Sequence, residues 1–339
     1  MSQASPFDIT GAIRKGILGL LTTSIVIALI VILFLQLSSV QEQMASLFEQ
    51  TDWLWVFWGW IWMCIALWLL GYRWKALLPS DVEVSGLFLG SALCSALLLN
   101  YAIPGPAGEL ASAWLVEKEI ERPYSTIFAA GAVARLIGLM VAAFGAALIW
   151  MLGDFNIPQA WQMPMQLGVV SIFFGGVILF VLLIRPSWWR KKITAVPKSG
   201  ILGKITEVLL KFIDAMIQTA QRGKKAYFKA FVWSVIGHFA ALLGILFSLY
   251  GVFKEIEVWG IAFAYLATTS VGALAFLVPG SQLPWDAFFT GVLFSTTSLD
   301  LVESTSAAGL LRIEQMGMMF LGAGVTWVLL RRALSVREQ

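Results

Sequence analysis

Residues 100–112 read NYAIPGPAGELAS, and residues 275–287 read AFLVPGSQLPWDA. Each stretch lies in a long apolar run, about 86–116 and about 258–302, and each is interrupted by a Pro-Gly pair, Pro104-Gly105 and Pro279-Gly280. Proline removes a backbone donor and clashes with the preceding helical turn, and glycine favours turns and helix ends. Neither run therefore reads as one continuous helix. In hydrocarbon, the backbone groups freed by such a break must be buried in protein or face a wet cavity. Each run is accordingly expected to form a re-entrant helical hairpin, two short helices joined at the Pro-Gly.

The two breaks share a polar pattern. Glu109 precedes Arg135 by 26 positions, and Asp286 precedes Arg312 by 26. Residues 86–150 and 258–330 then form two repeats. Away from them, the chain is 59% hydrophobic and only 13% charged, about half the charge of a soluble domain. Full helical spans, which need about 20 residues to cross a ~30 Å core, are expected at about 17–37, 53–72, 124–150, 168–184, 230–250 and 308–330. The run at 17–37 follows Arg14 and Lys15 and exceeds a signal-peptide core, so it reads as an uncleaved first span. The fold class is all-α: a polytopic membrane protein with six full spans and two hairpins, forming a single integral membrane domain over 1–339.

Lysine and arginine in short loops set the orientation. Segment 185–229 holds eleven basic residues, from Arg185 to Lys229, against Glu207 and Asp214. It is expected in the cytoplasm, with both termini, in a multi-pass protein of the cytoplasmic membrane. Segments 38–52 and 152–166 carry acids and no lysine or arginine, and are expected as outer loops. The repeat spans 124–150 and 308–330 then run in opposite directions, which makes the repeat inverted. Within the basic loop, Val208, Phe212, Ile213, Met216 and Ala220 recur at helical spacing, which predicts an amphipathic helix on the membrane surface. Its simpler role is a docked linker between the halves. Trp53, Trp55, Trp188 and Trp189 read as interface anchors.

Inverted repeats with broken helices place binding sites at the repeat interface near the midplane. A charged residue at a span's centre costs about 2.5–3.5 kcal/mol on insertion, so Glu109, Arg135, Asp286 and Arg312 need a reason to be there. Either Glu109–Arg135 and Asp286–Arg312 neutralise each other, or the four line a polar groove; the two are compatible. His238, the one histidine, is either hydrogen-bonded packing or a proton acceptor. Asn100 caps the first break or contacts a headgroup. The candidate substrate-binding set is Asn100, Pro104, Glu109, Arg135, His238, Pro279, Asp286 and Arg312. Cys64 and Cys94 lie inside apolar runs and suggest no disulfide framework. No metal-ligand cluster or phosphate-loop motif is evident, so neither a metal nor another cofactor is expected. The net charge of +3 suits anionic lipid headgroups and not a nucleic-acid partner.

The segment from Asn100 to Leu115 resembles the first signature of the lysylphosphatidylglycerol synthase transmembrane-region family, also called the UPF0104 group. The segments LVPGSQ (277–282) and AAGLLRI (307–313) resemble its second signature. The resemblance implies a flippase-type domain with paired re-entrant helices that moves aminoacylated or other lipids between leaflets, and Pro104, Gly108, Glu109, Pro279 and Arg312 match its pattern. Where the family often carries an arginine after Gly-Glu, this chain has Ala111, Ser112 and Ala113. The chain ends seven residues after Arg332, so the family's soluble aminoacyl-transfer domain, and with it lipid synthesis, is not expected. The leading expectation is a non-enzymatic, flippase-like transporter of a polar lipid, with membrane lipids as its partners. A membrane-embedded lipid-modifying enzyme, and a non-catalytic partner in an envelope lipid or glycan pathway, are the alternatives. A homo-oligomer is left open.

Overall fold

The computed structural model is all-helical. It describes residues 38–337 apart from 103–106, 121, 156, 196–202 and 276–281, with 204–215 described in part. The side chains of 38–41, of Met44, of 98–107, of Glu109, of 272–284 and of 330–337 are also outside the description. The expected first span, Pro104 and Pro279 therefore lie outside the described residues.

In chain order the helices are α1 (Ser38–Gln50), α2 (Trp53–Lys75), α3 (Gly86–Ala102), α4 (Ala107–Ile120), α5 (Tyr124–Leu152) and α6 (Gln159–Ile184). There follow α7 (Pro186–Thr194), α8 (Lys224–Phe253), α9 (Val258–Ala275), α10 (Gln282–Thr296) and α11 (Leu301–Arg337). Among the described residues, α2, α5, α6 and α8 are long and apolar enough to cross a bilayer. The expected span 308–330 falls within the 37 residues of α11. On α6, Leu167, Val170, Phe174 and Ile178 recur at helical spacing and stand exposed. A contiguous apolar stripe of this kind suits lipid and would be a liability in water. The protein is a polytopic helical membrane protein.

Two expected outer loops are partly helical. Segment 38–52 forms α1 up to Gln50, because it is built from helix-favouring Gln, Glu, Met, Ala and Leu with no internal glycine or proline. Phe48 then meets Trp53 edge-to-face at 4.8 Å and fastens α1 to α2. Similarly, α6 begins at Gln159 and not near 168: QAWQMPMQL supplies Gln, Ala, Met and Leu, and the helix carries Pro164 in its interior.

Hydrogen bonds and ion pairs identify the two ends of the bundle. At the end carrying the basic 185–229 segment, Arg122 pairs with Asp81, and Gln218 Nε2 donates to Thr126 Oγ1 at 3.4 Å. Residues 216–220 are helical, with Ile213 and Met216 buried, so this part of the linker docks on the start of α5. At the acidic end, the Asp52 N–H donates to the Gly251 carbonyl at 2.8 Å. Gln43 Nε2 donates to Asp300 at 2.9 Å, and the Ser298 N–H donates to Glu257 at 2.9 Å.

These contacts constrain the two short-helix pairs. The Arg122–Asp81 pair joins the chain just after α4 to the chain just before α3, so α3 and α4 have their outer ends at the basic end. The Ser298–Glu257 bond joins the chain after α10 to the chain before α9, so that pair has its outer ends at the acidic end. The following long helices are antiparallel in the same sense: α5 starts at the basic end and α11 at the acidic end. Glycines allow the closest helix approaches. A Cβ on Gly71 of α2 would overlap backbone atoms of Gly86 and Gly90 on α3, the small-residue contact that lets helices pack tightly in lipid.

Candidate functional site

Arg135 and Arg312 each lie eleven residues after the first residue of their helices, α5 and α11. At 1.5 Å per residue that is about 16 Å, half of a ~30 Å hydrocarbon core. Because the two helices start at opposite ends, equal depth brings the arginines to the same level. Both line one cavity of about 290 Å³ between α2, α3, α5, α8, α9, α10 and α11, together with Arg73, His238, Tyr265 and Gln315. A smaller cavity of about 130 Å³ shares Arg73 and Arg135 with it and extends to Ser112 on α4.

Arg312 is held on three sides. Its Nε donates to Asp286 Oδ2 at 3.2 Å, a second bond joins Nη2 to Oδ1, and Nη1 bonds Gln315. The guanidinium carbon stands 5.5 Å from the centre of the Trp285 ring, a cation–π contact, and Trp285 stacks on Phe289 at 5.1 Å. Trp285 and Asp286, adjacent on α10, thus form a clamp that fixes one guanidinium edge and leaves the side chain on the cavity wall.

His238 cross-links three helices. One ring nitrogen, Nε2, lies 3.0 Å from the Gly138 carbonyl of α5, and the other, Nδ1, lies 2.9 Å from the Tyr265 hydroxyl of α9. A carbonyl only accepts, so Nε2 carries the proton; in the neutral ring Nδ1 then accepts from Tyr265. Both nitrogens are engaged, which places His238 first as a positioning residue on the cavity wall.

Arg73, from the last turn of α2, is 8% exposed. Its Nη1 reaches Ser234 Oγ at 3.4 Å, and its Nε has no partner. It lies against Gly138, where an added Cβ would collide with Nη1. The helix α5 therefore offers the guanidinium a groove at the residue whose carbonyl holds His238.

These cavity-bearing helices fall within a recognisable unit. A family model for the lysylphosphatidylglycerol synthase transmembrane region matches residues 18–323. The chain belongs to that family. No curated protein and no solved structure matches the chain.

In this lysylphosphatidylglycerol synthase transmembrane-region protein, Arg135, His238 and Arg312 of the sequence-derived set line the cavity, and Asp286 reaches it through Arg312. Asn100 sits on α3 and Glu109 on α4, with side chains outside the description. Pro104 falls between α3 and α4, and Pro279 between α9 and α10, also outside it. Among the described residues, no group of three potential metal ligands occurs.

Four polar residues of the bundle interior escaped the sequence reading. Arg73 precedes Lys75 by two positions at the end of an apolar run, the usual place of a membrane-surface anchor. Tyr265 and Gln315 carry no charge to mark them. Glu314 did carry a signal, a carboxylate within an apolar run. It is buried, its Oε1 accepts from Ser248 Oγ at 2.8 Å, and its Oε2 has no partner. Standing two residues after Arg312, it projects from a different face of α11 and does not line the cavity.

Proposed function

We propose that this protein moves the polar headgroup of a membrane lipid between leaflets of the cytoplasmic membrane. The acyl tails remain in hydrocarbon while the headgroup passes through the arginine-lined cavity. In this reading α3–α4 and α9–α10 are re-entrant hairpins of an inverted repeat, inserted from opposite faces, with both termini cytoplasmic and no chemical conversion of the lipid. The observation that carries it is the meeting of Arg135 and Arg312 at matched depth on helices that start at opposite ends. A headgroup entering from either face travels the same distance to reach both guanidiniums. Membership of a family with lysylphosphatidylglycerol synthesis and flipping in its repertoire supports the same reading.

The cost of moving a headgroup through hydrocarbon is desolvation of its charges. Guanidiniums, hydroxyls and a histidine along a wet cavity replace part of that hydration, and their fixed positions hold the cost down at mid-depth. Asp286 keeps Arg312 paired while the cavity is empty, and a headgroup anion competes for the same guanidinium.

The test is a leaflet-resolved assay in proteoliposomes containing the purified full chain and headgroup-labelled lipids. Wild type is expected to accelerate exchange over protein-free vesicles, and Arg135→Gln to reduce that acceleration at least tenfold while folding normally. Exchange at the protein-free rate with wild type, across anionic, zwitterionic and aminoacylated headgroups, would sink the proposal. Appearance of a new lipid species in the same vesicles would make the protein an enzyme instead.

A further inference from the structure

We propose that Glu314 is a proton-binding site, which carries a proton while α11 is docked on α2 and α8 and yields it to water when α11 moves away. As a control point for lipid movement it rests on the transport reading, but its physical basis lies outside the cavity.

Glu314 is 6% exposed and stands where three helices meet. Its Oε1 accepts from Ser248 Oγ of α8 at 2.8 Å, and its backbone carbonyl accepts from Trp60 Nε1 of α2 at 3.1 Å. Trp60 also lies along Gly317, where an added Cβ would stand 3.3 Å from Nε1. Ser248 in turn fills a notch on α2: a Cβ on Gly59 would overlap Ser248 Oγ and the Gly244 carbonyl. The two helices thus meet here through glycine and serine, and α11 is fastened to both at Glu314. The second carboxyl oxygen, Oε2, is buried without a hydrogen-bond partner.

None of the ion pairs among the described residues includes Glu314. From α2 the titratable group that feels its charge is Cys64, and α3 brings Cys94 into the same buried cluster, with Met318 of α11. Neither thiol can supply a positive charge. Arg73 of α2 lies against Gly138 on α5. On α8, His238 is bonded to Tyr265 and Gly138, and Lys254 lies just past the helix end, 4.0 Å from Asp52. From α10, Asp286 is engaged by Arg312, whose guanidinium turns to Asp286, Gln315 and the cavity. The acids of α1, Glu42 and Glu49, are exposed, and Glu303 of α11 is bonded to Asp300 at the helix start.

An ionised carboxylate shut away from water, with neither a cation nor a full set of donors, is far costlier than a neutral carboxyl in the same place. The docked arrangement therefore selects the protonated form, with Ser248 bonded to one oxygen and the proton on the other. Ionisation requires hydration, and water reaches Oε2 when α11 shifts from Trp60 and Ser248. Proton binding and docking are then linked, each favouring the other by the same free energy. Arg312 stands two residues before Glu314 on the same helix. A shift of α11 that ionises Glu314 thus also moves a guanidinium of the cavity wall.

Infrared spectroscopy of the purified full chain in nanodiscs tests this. At neutral pH, where exposed acids are ionised, wild type is expected to show the carbonyl stretch of a protonated carboxyl, and Glu314→Gln to lose it. A wild-type spectrum without any protonated carboxyl at neutral pH overturns the proposal with no variant needed, so a misfolded Glu314→Gln does not shield it. A band that persists unchanged in folded Glu314→Gln overturns it as well. The link to docking is read separately, as the thermal midpoint. The docked chain holds a proton that the unfolded chain has released, so wild-type stability should fall as pH rises from about 5 to about 8. Glu314→Gln, neutral throughout, should lose that part of the slope, and parallel profiles for the two proteins overturn the link. Neither readout involves lipid movement. A protonated Glu314 in a protein that does not accelerate leaflet exchange would defeat the transport reading alone, and accelerated exchange with Glu314 ionised would defeat this one alone.

Discussion

Asp286 and Arg312 are 25% and 14% exposed, sheltered enough for each charge to depend on the other. Removing one partner leaves the other charge desolvated and unpaired, which costs more than the pair contributes. Asp286→Asn is therefore expected to lower stability by about 1–3 kcal/mol, read as a fall in thermal midpoint in detergent. Adding Arg312→Gln should recover part of that loss, with a coupling of about 0.5–3 kcal/mol in the double-mutant cycle. Additive losses would mean that the Trp285 face, and not the carboxylate, holds Arg312. The sequence announced this pair, since an acid and an arginine recurred at the spacing found in the other repeat. Arg73 was hidden for a physical reason: an arginine closing an apolar helix can reach the interface by snorkelling, and only the groove at Gly138 shows that it turns inward.

At the scale of elements, helix termini and crossings carry the argument. Asp300 and Glu303 form a reciprocal cap at the start of α11: the Glu303 N–H donates to Asp300 Oδ1 and the Asp300 N–H donates to Glu303 Oε2, both at 2.8 Å. The donated Glu303 N–H holds the Asp300 carboxyl below its ordinary range. A lowered folded-state value stabilises the protein above the ordinary carboxylate value near 3.8, and the gain is lost as pH falls through the folded value. Asp300→Ala should thus cost about 0.5–2 kcal/mol at neutral pH. Wild type and variant should converge in thermal stability as pH drops below 4, and a pH-independent gap would remove the ionised cap from the account. On α2, Gly71→Ala places a methyl on the backbone of α3, where no side chain can swing away. A loss of about 1–3 kcal/mol is expected, against little change for Gly168→Ala on α6, which faces open space. The short helices on either side of residues 103–106 and 276–281 were legible from their apolar runs. The extra helix α1 was not, because absence of basic charge says where a segment lies and nothing about whether it coils.

For the whole molecule, the decisive property is that the short-helix pairs α3–α4 and α9–α10 have their outer ends at opposite ends of one bundle. Loop charge alone suggested an inverted repeat; the described contacts join the outer ends of α3 and α4 through Asp81 and Arg122, and those of α9 and α10 through Glu257 and Ser298. Under the proposed transport reading, opposed insertion would give a headgroup at mid-depth nearly the same surroundings whichever leaflet it came from. It also makes a sidedness prediction that owes nothing to lipid movement. Glu83 and Ser298 are exposed at the two ends, and the native Cys64 and Cys94 are buried. In a chain with both native cysteines replaced by alanine, Ser298→Cys should react with a membrane-impermeant maleimide on intact cells. Glu83→Cys should react only after permeabilisation, because the basic segment that shares its end is drawn to the cytoplasmic face. Exchange of the two outcomes would invert the orientation and leave the opposed arrangement intact. Labelling of both from one side would place both hairpin pairs on the same face, and the matched depth of Arg135 and Arg312 would then no longer give a headgroup symmetric access.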